Sequence, residues 1–401
     1  MKVGFNKINI TPKTSCYMAG YSRTKKSDGV HDPIEINTFS ITVENQTYVT
    51  SILDSIVVEE KFCNHVKDSI SLQCEIPIEN ISISCIHTHS APSYFKLTFE
   101  DNIIEEELVS QVSNSMIESI KSSIQCQKEC TIDIEKSYIN GIYGNRNNKN
   151  GFSDKSCSLI HFYDKSNNPL GILFNISLHP TFFSRDNYLL SADIIGLTRN
   201  KLEQEFNCPV VATNGACGDV STRYYRSELD DIDSTVNKLF EMIMNTREKA
   251  PYINGMSKRF QGSLEAKFDA HTDEHWSTIN NELEKSRTPA NSQMVDAFLY
   301  RQQLKKTMSP IILNLIYQIM VIGNIIIVYL PGDVVSSLGA IIKNTFTSHT
   351  VILVCYSNTY CNYLVSKDEY GKYFETHNSR LAYGVADSLI FEVIKKINQM
   401  I

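Results

Sequence analysis

Two histidines one residue apart, His87 and His89, stand in the run Cys85-Ile86-His87-Thr88-His89-Ser90. The residues before them, 80–86, show the apolar alternation of a strand. In an extended chain both imidazoles project from one face, roughly 6.5 Å apart. Two such rings can bind one metal ion, or one can bind while the other moves protons. A hydrogen-bonded surface pair is the plain alternative. His179 follows another strand-like stretch, which Pro180 ends; alone it reads as structural or functional with equal weight. The run Thr213-Asn214-Gly215-Ala216-Cys217-Gly218-Asp219-Val220-Ser221 places two glycines in a short polar turn, where backbone can approach a ligand. Ser221 is open to three roles: nucleophile, oxyanion donor or substrate partner. The run is not a Gly-x-Ser-x-Gly elbow, and by spacing alone it reads as an ordinary turn. Asp333, in Leu330-Pro331-Gly332-Asp333, either caps the helix predicted after it or offers a carboxylate to a metal. Tyr360 and Tyr363 follow a further predicted strand, where tyrosines usually pack.

The elements that must position these residues alternate along the chain. Strands are predicted at 2–10, 37–43, 47–58, 80–86, 158–163, 171–178, 209–213, 258–268 and 350–355. Helical spacing marks 59–73, 103–124, 195–206, 230–245, 272–286, 293–308, 334–344 and 379–400. Residues 310–330 have the length of a membrane span. Polar Asn314 and Gln318 and the turn signal Gly323-Asn324 divide them into two buried antiparallel strands instead. The pattern predicts an α/β fold, a mixed β-sheet core flanked by helices, as a single domain over 1–401. Ligands in such folds gather where strands end, which is where the clusters above lie. His275-Trp276, in a middle helix, reads as packing.

Composition narrows the function. Of 401 residues, 42% are hydrophobic and 21% charged, which suits a chain that buries a core and excludes disorder. A net charge of −7 argues against a general nucleic-acid binder. Eleven cysteines, an odd number without a Cys-x-x-Cys pair, form neither a disulfide framework nor a zinc module. They read as free, mostly buried thiols in a reducing compartment. The first residues lack the apolar region of a signal peptide, so a cytoplasmic location is expected. The sequence sets no oligomeric state.

Taken in order, the clusters resemble the neutral/alkaline, non-lysosomal ceramidases. Met18-Ala19-Gly20-Tyr21 and Gly29-Val30-His31 look like the family's Met-Gly-Tyr and Gly-Ile/Val-His. His87-Thr88-His89-Ser90-Ala91-Pro92 is similar to His-Thr-His-Ser-Gly-Pro, and Asn145-Arg146 to its Asn-Arg. His179-Pro180-Thr181 looks like its second histidine motif, and Gly218-Asp219-Val220-Ser221 like its Gly-Asp-Val-Ser. Pro331-Gly332-Asp333 is similar to Pro-Gly-Glu. Asn358-x-Tyr360-x-x-Tyr363 with Asp368-Glu369-Tyr370 resembles Asn-x-Tyr-x-x-Tyr and Glu-Glu-Tyr.

The resemblance implies a catalytic Zn2+ held by His87, His179, Asp333 and Tyr363. It places His89 and Arg146 beside the metal and makes Ser221 the family's essential serine. The implied reaction is hydrolysis of an N-acyl amide, ceramide or a lipid-like small molecule, by metal-activated water with His89 and Ser221 assisting. Another amide or ester, or binding without turnover, remains an alternative. Three departures stand out. Asp333 replaces glutamate, Thr222-Arg223 stands where the family commonly has Pro-Asn, and Phe374-Glu375-Thr376-His377 is only loosely like its counterpart. The family's C-terminal β-sandwich is expected to be missing. An HxHxD metallohydrolase is disfavoured because its aspartate is Ala91 here.

Overall fold

Strands that are mostly buried on both faces collect the apolar residues into three sheets packed against one another. The structure, a computed structural model, describes residues 1–226 and 231–401. The first sheet has the strands Ile81–Cys85, Gln46–Leu53, Glu35–Val43 and Lys2–Asn9 in that spatial order, with a two-residue edge strand beyond. The second runs Val210–Asn214, Pro169–Ile176, Ser156–Tyr163 and Thr131–Tyr138, again with a short edge strand. The third runs Ser257–Phe268, Ile311–Ile322, Ile325–Tyr329 and Thr350–Val354. The mixed α/β class agrees with expectation, but the core is three sheets rather than one. Helix Glu106–Gln125 covers the first sheet with Glu60–Cys74 packed against it, and Asp193–Phe206 and Ile232–Asn245 cover the second. Ser336–Thr345 packs on Val385–Met400 beside the third. A contiguous apolar cluster from Val3 to Met400 fills the space between them.

The long apolar run is a hairpin, Ile322 opposite Ile325, turning at Gly323 with φ +57°. Among the described residues no helix is long and apolar enough to cross a membrane. The strand predicted to reach Val58 stops at Leu53, because Asp54 turns inward to accept from Arg199 at 2.8 and 3.0 Å. The last helix begins at Val385, not 379, since Gly384 is left-handed and Ser379 Oγ donates to the Tyr363 carbonyl at 2.7 Å. Of the predicted helix 230–245, Asp230 lies outside the described residues. The rest is Ile232–Asn245, whose Asp231 side chain accepts from the Ser234 amide.

Three parallel strand pairs decide where chemistry can occur. Gln46–Leu53 pairs parallel with Ile81–Cys85, Pro169–Ile176 with Val210–Asn214, and Ile325–Tyr329 with Thr350–Val354. Their carboxyl ends meet, and buried polar contacts stitch them together. The Cys355 amide donates to the Asn214 carbonyl at 2.9 Å, Asn214 Nδ2 to the Ile86 carbonyl at 3.0 Å, and the Asn358 amide to the Ile83 carbonyl at 2.7 Å. Each satisfies a polar group that would otherwise be buried unpaired. The runs that carry His87 and His89, His179, Ser221, Asp333 and Tyr363 each leave one of these strand ends.

Candidate active site

His87 and His89 do meet, but not by strand alternation. The chain leaves its strand at Cys85 and turns through a left-handed His87, φ +70°. That conformation is uncommon for a side chain with a Cβ and clusters at functional sites. His87 Nδ1 donates to the Ile56 carbonyl, His89 Nδ1 to the Gly20 carbonyl at 3.0 Å, and His179 Nδ1 to the Cys217 carbonyl at 3.3 Å. A backbone acceptor on one ring nitrogen fixes the tautomer and leaves the other with a free lone pair. The three Nε2 atoms are therefore acceptors. Burial pushes His87 and His89 down to about 3, and His179 well below its ordinary value, so all three are neutral near pH 7.

These acceptors converge. His89 Nε2 is 3.3 Å from His87 Nε2, and His87 Nε2 is 3.3 Å from Asp333 Oδ1. Ligand atoms of His87, His89 and His179 lie within 4.8 Å of one another. Lone pairs that face each other at such distances repel unless a cation lies among them. The donor set of neutral imidazole nitrogens and a carboxylate oxygen fits a divalent ion of the zinc type.

Asp333 is not a helix cap. It pairs with Tyr363 in a short parallel ladder, and the helix beyond starts at Ser336. Its carboxylate accepts from Tyr356 Oη at 2.8 Å and from Tyr360 Oη. Burial raises its pKa while those two hydroxyls oppose the shift. Gly332, at φ +70°, makes the approach possible, since a Cβ there would stand 2.3 Å from the Asn362 carbonyl oxygen. The cap is Asp219, whose Oδ1 accepts from the Ser336 amide at 2.7 Å and its hydroxyl at 2.6 Å. Asp219 Oδ2 also accepts from Asn145 Nδ2 at 2.6 Å, and its carbonyl from the Arg146 amide at 2.7 Å. The turn 213–221 is thus a hub, with Val220-Ser221 paired to Gly144-Asn145.

Arg146 is clamped. Its Nε donates to Glu375 Oε1 at 2.8 Å, and its Nη2 to the Tyr363 hydroxyl at 3.2 Å. Burial pushes the Tyr363 phenol up and Arg146 pulls it back. Ser221 Oγ accepts from the Arg223 amide at 3.1 Å. His87, His89, Arg146, His179, Ser221 and Tyr363 all face one cavity of about 600 Å³, a volume suited to a drug-sized ligand. Asp333 sits behind that wall, fully buried. His275 stacks on Tyr383, and buried Trp276 donates to Gln302 at 2.6 Å, so both pack and neither faces the cavity. Sequence reasoning missed Asp219 as a hub, Glu375 as the arginine's partner, and Tyr356, which stacks on His87 at 4.2 Å. Glu375 lay in a motif matched only loosely, and Tyr356 in no motif.

Residues 1–232, more than half of the chain, match the family described as neutral/alkaline non-lysosomal ceramidase, N-terminal. The chain belongs to that ceramidase family. Among its relatives, neutral ceramidase 2 of Arabidopsis thaliana is 23% identical over 288 residues, 66% of this chain and 37% of that protein. The chain thus spans little more than a third of that relative's length. The neutral ceramidase of Pseudomonas aeruginosa superposes with a TM-score of 0.77 at 15% identity, over 98% of this chain and 73% of the other. A ceramidase complexed with C2 gives 0.74 at 15% identity, over 98% and 74%. At such identities the likeness establishes the fold.

Proposed function

We propose that the chain is a zinc-dependent hydrolase of N-acyl amide bonds acting on a ceramide-like substrate. The observation that carries this reading is the convergence of proton-free imidazole nitrogens at the cavity wall on Asp333 behind it, beside Arg146 and Ser221. His87, His179 and Asp333 would hold the ion, with Tyr363 as the fourth candidate ligand. A divalent ion there supplies Lewis-acid polarisation and makes water acidic enough to attack near neutral pH. Arg146, locked by Glu375, presents a fixed positive charge to the acyl oxygen as it gains negative charge. Ser221 Oγ is engaged as an acceptor by Arg223, which leaves its hydrogen for the substrate carbonyl, so positioning is the role assigned to it. His89, held by Gly20, faces the same space, and its proton-free Nε2 is assigned to take the proton released by the attacking water and pass it to the leaving amine. In the balanced reaction the hydroxyl of water joins the acyl carbon, the C–N bond breaks, and a proton passes to nitrogen.

Mass spectrometry tests this. Zinc-loaded protein is offered short-chain ceramide and a panel of N-acyl amides, beside Ser221→Ala. Fatty acid and amine released by the wild type, and lost on chelation, uphold the proposal. Zinc-bound protein that leaves every amide intact removes it.

A further inference from the structure

The cavity in front of the histidines is strongly cationic, although the chain carries −7 overall. Arg146, Arg185, Arg223, Arg226 and Arg301 line it, against Glu100 as the single carboxylate among its described lining residues. Arg146 is ion-paired with Glu375 at 2.7 Å and is already assigned to the acyl oxygen. Arg185 has a loose contact with Asp186, 3.8 Å between two exposed side chains. Among the described residues, Arg223, Arg226 and Arg301 have no carboxylate within 4.0 Å. Two of these three are nevertheless held in place. Arg226 donates to the Phe182 carbonyl and lies 4.5 Å from the Phe182 ring centroid. Arg301 is half-buried, lies 5.8 Å from the Phe374 ring, and has a buried Nε without a partner. Glu100 acts on Arg301 as a counter-charge, so among the described residues these three guanidinium groups share a single lining carboxylate and part of their charge is left uncompensated. Guanidinium groups match carboxylate and phosphate in charge and in planar donor geometry.

We propose that the substrate amide carries an anionic group, carboxylate or phosphate, and that Arg223, Arg226 and Arg301 select it at the cavity wall. This rests on the reading of the chain as an amide hydrolase. The three arginines share the cavity with Ser221 and the histidines, and two of them are half-buried. That placement favours an anion borne by the substrate over a flat anionic membrane.

Three amides with one acyl chain test it: N-dodecanoylethanolamine, N-dodecanoylglycine and N-dodecanoyl-phosphoethanolamine. The carboxylate and phosphate arms separate the two anions. At least one anionic amide is expected to exceed the neutral one in kcat/KM by about tenfold or more. Arg223→Ala and Arg301→Ala should erase most of that preference, chiefly through KM, and added salt should narrow it. Arg223 is exposed, so its truncation leaves the fold intact. Equal or better turnover of the neutral amide, or equal loss on all three in the variants, overturns the proposal. If none is cleaved, the hydrolase reading fails, and calorimetry with the same intact amides reads the anion site alone. Binding of an anionic amide about tenfold tighter then upholds the inference, and equal affinities overturn it. Arg223-dependent sedimentation with phosphatidylserine vesicles, without discrimination among the soluble amides, assigns the arginines to a membrane and also overturns it.

Discussion

At His179 one nitrogen is spent on the Cys217 carbonyl and the other faces the cluster. His179→Ala should therefore lose bound zinc, measured as metal per chain after dialysis. Full occupancy would remove His179 from the ligand set. Asp333→Asn keeps an oxygen for one tyrosine but turns an amide towards the other. It should weaken zinc affinity by about tenfold or more while the folded signal persists. Ser221→Ala should keep its zinc and lose about a hundredfold or more in kcat, the scale of one preorganised donor to a developing oxyanion. A near-normal rate would reduce Ser221 to part of the turn. These residue types were legible in sequence because metal and acyl chemistry need histidine, carboxylate and hydroxyl. Their partners were not, since backbone carbonyls of Ile56, Gly20 and Cys217 carry no sequence signal.

Among the elements, the helix Ser336–Thr345 depends on a carboxylate more than a hundred residues away. Asp219→Ala would leave the Ser336 amide unsatisfied in a buried site and Asn145 Nδ2 with the Phe152 carbonyl alone. A loss of about 2–4 kcal/mol is expected in denaturant unfolding, with a fall in turnover because Ser221 and Arg146 share the hub. If stability holds within experimental error, Asp219 is not the anchor. The sequence offered Asp333, the nearest acid to the helix, as either cap or metal ligand, because capping rules look locally and the true cap is brought in by folding. The hairpin 311–329 was legible, since alternation and Gly323-Asn324 are local. The stop at Leu53 was not, because Arg199, which holds Asp54, comes from a distant helix.

For the whole molecule, buried neutral histidines make acid the point of weakness. His377 tests this away from the histidine cluster. Its Nδ1 accepts from Gln302 at 3.1 Å, while the Gln302 oxygen is already held by Trp276. Burial, then Lys305 and Arg301, lower His377 to about 4. Its folded pKa lies below the unfolded value near 6.5, so the unfolded chain binds the proton first. The contribution is full above about 6.5 and fades as pH falls towards 4. Moving from pH 7 to pH 5 should remove about 2 kcal/mol through this group, and His377→Gln should cancel that increment in paired unfolding curves. An unchanged pH slope in the variant would show that His377 is not the group responsible.

By itself the sequence determined the class of fold, most strand and helix spans, and the ordered motifs of the ceramidase family. Those features are set by local periodicity and by residue types that chemistry requires. Tertiary structure decided that three sheets, not one, bring six strand ends together. It decided too that His87 reaches its neighbours through a left-handed turn, and that five arginines gather around the cavity against one carboxylate among its described lining residues. Each depends on contacts between residues far apart in the chain, and only packing brings those contacts into being.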